Sequence, residues 1–450
     1  VSATQDVGRS IYDRRYLLTT LGTTALVFLG AFEALAVTTV MPLVSRDLDG
    51  RELYSLAFAA TLAASVVGMV AAGASADRRG PTPALAVSVA LFTAGLILAG
   101  TATDMTVFVA ARFVQGLGSG GVNVTLYVLV ARVYPAQLHP RIFGAFAAAW
   151  VVPSMVGPFA AGLVAEAFSW HWVFLGVVGL VVISAGLVAP ALRGHAVTER
   201  TPFDRSALTR GALAIVVALA VVALSSSGEW DGSAWLVALP AAAVLLLAVR
   251  PLLPAGTLRA RGTLPATILL RAGVAATFFG TEVYLPLLLH DRYGLPSWLS
   301  GLTLMAGAVA WALGSAVQAR TTERLGNGPA MQLGAALLVG GVGVVLVTVL
   351  LAPSPAVAAI VAAIGWFFAG AGMGVVYPRM SSLTLTLSPT GREGFNSSAL
   401  QIADSVGGAT SLALSGLVFT ALGFAATFGY GTLIGALALL LSFRVARLLR

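Results

Sequence analysis

A chain of 450 residues that is 58% hydrophobic and only 10% charged has too little polar surface to clothe one soluble core, since soluble domains carry about a quarter charged residues. It contains no cysteine, which excludes disulfides and thiolate metal sites, and all 26 of its basic residues are arginine. The formal net charge of +8 invites a nucleic-acid reading, but the arginines are scattered among loops, where orientation in a membrane accounts for them better.

The apolar residues fall in long blocks, many above the ~18 residues that mark a spanning helix, and short alternating segments of β-barrel type are absent. The expected fold is an all-α polytopic membrane protein. In chain order the predicted spans are Leu17–Met41, Leu53–Ala76, Pro83–Ala102, Met105–Tyr134, Phe143–Phe168 and Trp172–Leu192. Two weaker blocks follow a polar stretch, Ala212–Ser226 and Ala234–Leu253. Leu264–Leu289, Leu299–Arg320, Pro329–Leu351, Ala356–Met380, Asn396–Gly423 and Ala425–Val445 complete the chain. The pattern reads as two six-helix bundles, 1–192 and 263–450, joined by 193–262 with two inserted helices, about 14 transmembrane helices in all. The first apolar block is too long for the core of a cleavable signal.

Arginine placement predicts orientation. Arg9, Arg14 and Arg15 precede the first span, Arg78 and Arg79 follow the second, Arg132 and Arg141 flank the next even loop, and Arg193 to Arg210 follow the sixth. Arg250, Arg259 and Arg261 follow the eighth, and Arg444, Arg447 and Arg450 follow the last. The alternate loops are poorer in arginine and hold Asp104, Glu166, Glu229 and Asp231. Both ends are therefore expected in the cytoplasm, which requires an even number of spans. Twelve and fourteen both satisfy this, the middle pair being spanning, re-entrant or surface-lying.

An internal repeat divides the chain. "ADRRG" ends at Gly80 and "TERLG" at Gly326, while "FVQGLGSGG" around Gly116 echoes "FFAGAGMG" around Gly370. The offsets, 246 (326 − 80) and 254 (370 − 116), are nearly constant, as two homologous bundles of a secondary transporter would give.

These residues resemble the major facilitator superfamily. "GASADRRGPTPAL" is similar to the family's loop signature through Gly73, Asp77, Arg78, Gly80 and Leu85, with Pro81 and Thr82 in place of its usual basic pair. "RFVQGLGSGG" is similar to the fourth-helix signature through Arg112, Gln115, Gly116 and Gly118. "PSMVGPFAAG" carries Gly157, Pro158 and Gly162 of the fifth-helix signature, which in this family marks antiporters. "SWHWVFL" resembles the fourteen-helix drug:proton antiporter branch, with His171 where an arginine is usual, and Glu33 falls where that branch has an aspartate. The resemblance implies two pseudo-symmetric bundles that rock, with Asp77 and Arg78, and Glu323 and Arg324 in the second half, latching one conformation. Read on its own, "DRRG" is also consistent with a solvated turn, and the Gly157–Pro158 pair with ordinary small-residue packing.

The buried charges carry more chemistry. At ~1.5 Å per residue, Glu33 lies about 13 Å from Pro42, Arg112 about 12 Å from Asp104 and Glu282 about 12 Å from His290, all near the middle of a ~30 Å core. Glu33 and Glu282 are also near-equivalent in the repeat and are expected to face a central cavity, with Arg112 beside Glu33. Burial favours the neutral acid and a neighbouring cation favours the carboxylate, so competition between proton and substrate can couple a gradient to export. The alternative is a static Glu33–Arg112 pair that holds two helices together. Asp404 is a second proton site or a structural group. Arg271, seven residues from Leu264, is expected to snorkel to the cytoplasmic face.

The expected protein is a proton-coupled antiporter of the cell membrane that exports amphipathic or cationic drugs or metabolites; lipid export and nutrient symport are the alternatives. Proton coupling falls to Glu33, Glu282, Asp404 and Arg112, and substrate contact to Glu33, Glu282, Tyr284, Phe279 and Trp150. The motif residues Gly73, Asp77, Arg78, Gly80, Gln115, Gly116, Gly157, Pro158, Glu323 and Arg324 serve conformational change. The four histidines offer neither metal-ligand spacing nor a catalytic constellation, so no metal, cofactor or enzymatic activity is expected. Expected partners are protons, a small lipophilic substrate and the bilayer, with no nucleic acid, and the chain acts as a monomer.

Overall fold

Inside a hydrocarbon layer every backbone N–H and C=O must be satisfied within its own segment, so long apolar blocks fold as helices. The computed structural model is helical, without strands among the residues it describes, which are 10–135, 138–192, 205–226, 234–321, 324–389 and 393–449. The helices are α1 (Leu17–Asp47), α2 (Tyr54–Arg79), α3 (Pro81–Gly100), α4 (Met105–Val133), α5 (His139–Ala167), α6 (His171–Leu192) and α7 (Arg205–Ser226). They continue as α8 (Ala234–Val249), α9 (Thr263–Glu282), α10 (Tyr284–Asp291), α11 (Ser297–Arg320), α12 (Asn327–Leu351), α13 (Pro355–Thr386) and α14 (Glu393–Leu448). Ten stretches among the described residues are long and apolar enough to cross a membrane. The chain is a multi-pass membrane protein.

The first predicted span is extended. α1 runs through Pro42 to Asp47, because losing one N–H is tolerable where neighbouring helices hold the axis. The run expected over Leu264–Leu289 is one continuous span, Thr263–Asp291, made of α9 and α10 with Val283 between them in helical conformation. The last two predicted spans are present as two helical limbs of α14 that meet, as expected, at Gly423, whose φ of 74° only glycine adopts without strain.

Helix α1 packs on α5 and α6, α2 on α4, and α3 on α4 and α6. In the second half α9 packs on α14, α11 on α13, and α12 on both α13 and α14. The halves meet through α2 with α14 and α5 with α11. Helix α7 lies against α2, α14 and α8, so the middle pair covers the α2–α14 seam, where Leu224, Ala241 and Ala413 share one buried cluster. Apolar lipid supplies no hydrophobic drive between helices, so close backbone approach at small residues holds them. A Cβ at Gly120 would stand 2.0 Å from the Ser65 carbonyl oxygen, and one at Gly370 1.9 Å from that of Gly307.

The molecule has two distinct ends. At the near face α1 begins beside the end of α4, with Tyr16 stacked on Tyr134 at 5.1 Å, and α9 begins beside the end of α14, with Thr263 Oγ1 donating to the Leu448 carbonyl at 3.1 Å. The far face holds the end of α1, the start of α2 and the α10–α11 connection. There the two halves are clasped. Arg46 hydrogen-bonds His290, Arg51 pairs with Asp291, and the Tyr54 hydroxyl donates to the Val283 carbonyl at 2.8 Å. Backbones also close up: the Gly162 Cβ direction meets Trp298 Cα at 3.2 Å, and that of Gly301 meets the Pro158 oxygen at 2.8 Å.

Candidate functional site

Glu33 lies midway along α1 and Arg112 in the far half of α4, both inside the helical layer. They form a direct ion pair, with Glu33 5% and Arg112 3% exposed. The same Arg112 nitrogen, Nη1, also donates to the Gln115 side-chain oxygen, one turn along α4. The expected adjacency of Glu33 and Arg112 is thus present. Two donors of this group, Arg112 Nε and Gln115 Nε2, are buried with no partner. Each unmet buried donor costs about 1–3 kcal/mol.

A second cluster overturns the expectation for Arg271. It does not snorkel: it is 6% exposed, and its Nε donates to Asp404 Oδ1 at 2.7 Å. The Tyr377 hydroxyl donates to the same oxygen at 2.7 Å, and the guanidinium lies over the Tyr377 ring at 3.3 Å from the centroid. Distance along one helix cannot reveal a partner that lies 133 residues further along the chain. Two ion pairs, a buried one in the first half and a part-buried one in the second, therefore neutralise four of the ionisable groups.

Glu282 is the exception. It is 9% exposed at the last turn of α9, and no salt bridge or side-chain hydrogen bond reaches it among the described residues. A carboxylate left unpaired in such surroundings is costly, whereas the protonated acid is not. Arg271 stands eleven residues earlier on α9, three turns away and on the same face, about 16 Å along the axis. Between them rise packed rings: Phe278 against Trp311 at 5.5 Å, and Trp311 against Tyr377 at 5.0 Å.

The other predicted residues divide. Phe279 is half-buried, edge-on to Phe278 and in reach of Gly408 on α14. Tyr284 is 1% exposed in the clasp, against Tyr54 at 6.1 Å and Phe419 at 5.1 Å. Trp150 is exposed on α5, beside Ala148, Ala149 and Val152, which line an apolar cavity of about 410 Å³ with α1 and α6. Of the motif residues, Gly73, Asp77 and Arg78 fall in the last two turns of α2, and Gly80 ends that helix at φ 85°. Gly116 meets the Thr61 carbonyl of α2, Gly157 meets Phe32 of α1, and Pro158 meets Gly301 of α11. Arg324 lies in the turn after α11, and Glu323 lies outside the described residues.

Sequence reasoning missed Arg271, Tyr377, Tyr54 and His290. For Arg271 the signal was present in its three-turn register with Glu282. For the cross-half contacts no local pattern exists.

Two bundles of membrane-crossing helices, clasped at one face and carrying buried ionisable groups at mid-depth, are the architecture of a membrane transporter. The sequence profile of the Major Facilitator Superfamily matches residues 23–365, and the chain belongs to this family. It is a transporter, not an enzyme. The chain is 26% identical over 422 residues to the multidrug transporter protein MdtP of Bacillus subtilis (strain 168), covering 91% of this chain and 76% of that one. It is 24% identical over 304 residues to the multidrug efflux pump SdrM of Staphylococcus aureus (strain N315), covering 66% and 67%. Among solved structures, a POT family transporter in complex with 5-aminolevulinic acid superposes with a TM-score of 0.71 at 13% identity, covering 95% of each chain. A D-xylose-proton symporter superposes with a TM-score of 0.69 at 14% identity, covering 96% and 98%, which shows a shared fold.

Proposed function

We propose that the protein is a proton-coupled antiporter that exports amphipathic or cationic compounds, with both chain ends in the cytoplasm, the far face outside and the bundles 1–192 and 263–450 rocking about the site. Arginine-rich loops at the near face support this orientation, and the multidrug relatives support the substrate class.

The observation that carries the reading is the buried carboxyl of Glu282 in the last turn of α9, unpaired among the described residues. Held neutral by a proton it is tolerated in the closed seam. Ionised, it needs a cation, and a lipophilic cation that reaches it along the Phe279–Trp311 wall supplies one. Proton and substrate then compete for one acid, which links their opposite movements without covalent chemistry. Glu33, Arg112 and Gln115 form the companion site in the first half, with spare donors for a polar substituent of the substrate. Asp404, held by Arg271 and Tyr377, is the second acid that a substrate meets from the near side.

The test uses proteoliposomes loaded with tetraphenylphosphonium under an imposed pH gradient. Wild-type protein is expected to move protons against the cation, and Glu282→Gln to lose gradient-driven movement by tenfold or more together with tight binding of the cation. Gradient-driven movement at the wild-type rate in Glu282→Gln removes Glu282 from the coupling. Proton and substrate moving in the same direction would make the protein a symporter.

A further inference from the structure

The clasp at the far face contains one histidine. His290 ends α10 and is half-buried at the seam between the halves. Its Nδ1 lies 3.1 Å from the carbonyl oxygen of Leu295, and its Nε2 lies against a guanidinium nitrogen of Arg46 on α1. A carbonyl only accepts and a guanidinium only donates. The ring must therefore carry its proton on Nδ1 and leave Nε2 bare, so the contact exists only for the neutral imidazole. A second proton, on Nε2, would set N–H against N–H and one positive charge against another.

The charged neighbours do not offset this. On α10 and just beyond, Asp291 is taken by Arg51 of the other half, and Arg292 is a further cation. Asp47, next to Arg46, accepts from Trp170 at 2.8 Å, and Asp49 and Glu52 are the remaining acids on the α1–α2 connection. Helix α11 brings no ionisable side chain to this contact, since its first charged residue is Arg320 at the opposite end. The Arg46–His290 bond joins the halves where they must part for the far face to open.

We propose that His290 is a positioning residue of the transport cycle, a proton-operated catch. Neutral, it helps hold the far face shut through Arg46; protonated, it releases that contact and favours the state open to the far side. Resting on the orientation proposed above, the catch would face the proton-rich compartment, so that an acid exterior presents the central acids outward when protons are there to be taken up. Histidine changes charge between about pH 5 and 8, which suits such a sensor.

The natural chain has no cysteine, so spin labels can be placed singly. Labels at Asp49→Cys and Arg292→Cys, both exposed, straddle the far face. Distances between them are read by pulsed electron paramagnetic resonance in purified protein at pH 7.5 and pH 5.5, without substrate or gradient. The expected result is a rise of about fivefold in the ratio of long to short distances on acidification, the worth of one charge-assisted contact at a partly exposed site. In His290→Gln, which keeps a neutral acceptor for Arg46 but does not titrate, the response should disappear while the pH 7.5 distribution stays as in the wild type. A pH response that persists in His290→Gln, or no response in the wild type, overturns the proposal. Response lost in Glu282→Gln but kept in His290→Gln assigns the effect to the central acid and also overturns it. Because the readout needs no transport, failure of the antiport reading leaves this measurement intact.

Discussion

Arg112→Leu is expected to destabilise the protein by about 3–5 kcal/mol, because it strands the buried Glu33 carboxylate that the guanidinium now neutralises. The double variant Glu33→Gln/Arg112→Leu should recover most of that loss, since a neutral amide replaces the stranded charge. Denaturant unfolding of the purified protein in detergent measures both. The two readings of this pair then separate in transport. A pair that only holds α1 to α4 would leave the double variant with near-normal gradient-driven export. A pair that takes part in coupling would leave it folded and unable to use the gradient. Refolded stability with intact transport would reduce Glu33 and Arg112 to a structural clip.

Gly120→Ala should cost about 1–3 kcal/mol or more, a large effect for one methyl group. The new carbon would lie 2.0 Å from the Ser65 carbonyl oxygen, and the obstacle is backbone, which cannot rotate away as a side chain can. Helices α2 and α4 would have to separate by more than 1 Å, opening gaps along their whole contact. The matching control is Gly179→Ala on α6, where a Cβ meets nothing within 4 Å and the change should be neutral. Thermal unfolding in detergent compares the pair. Equal midpoints for the two variants would show that the α2–α4 seam is not set by glycine contact.

Much of the fold was legible in the sequence because a bilayer forces long apolar runs into helices, and the runs were unmistakable in length. The Glu33–Arg112 contact was legible too, since depth along two helices of known direction brought both groups to one level. What one-dimensional depth could not supply was rotation about each helix axis and the identity of the neighbour. Arg271 shows this best: it lay near enough to a helix end to reach water, and only the packing of α14 on α9 shows that Asp404 holds it inside. Tyr284 failed for a related reason. Its place near Glu282 was read correctly, but its direction about the helix axis points it into the clasp against Tyr54. His290 was set aside for lack of metal-ligand spacing, when its partner is an arginine 244 residues away.

The bend at Gly423 has a mechanical meaning for the chain end. The limb before it carries Asp404 and touches α2 through Gly416, where the Cβ direction meets Ser55 at 2.2 Å. The limb after it runs back along α9 and α12, through Gly435 beside Thr277 and Val339. A single residue joins them, with no slack loop to absorb torque. The two limbs therefore turn about one glycine, and a dye at the tip of the second would report the angle between them.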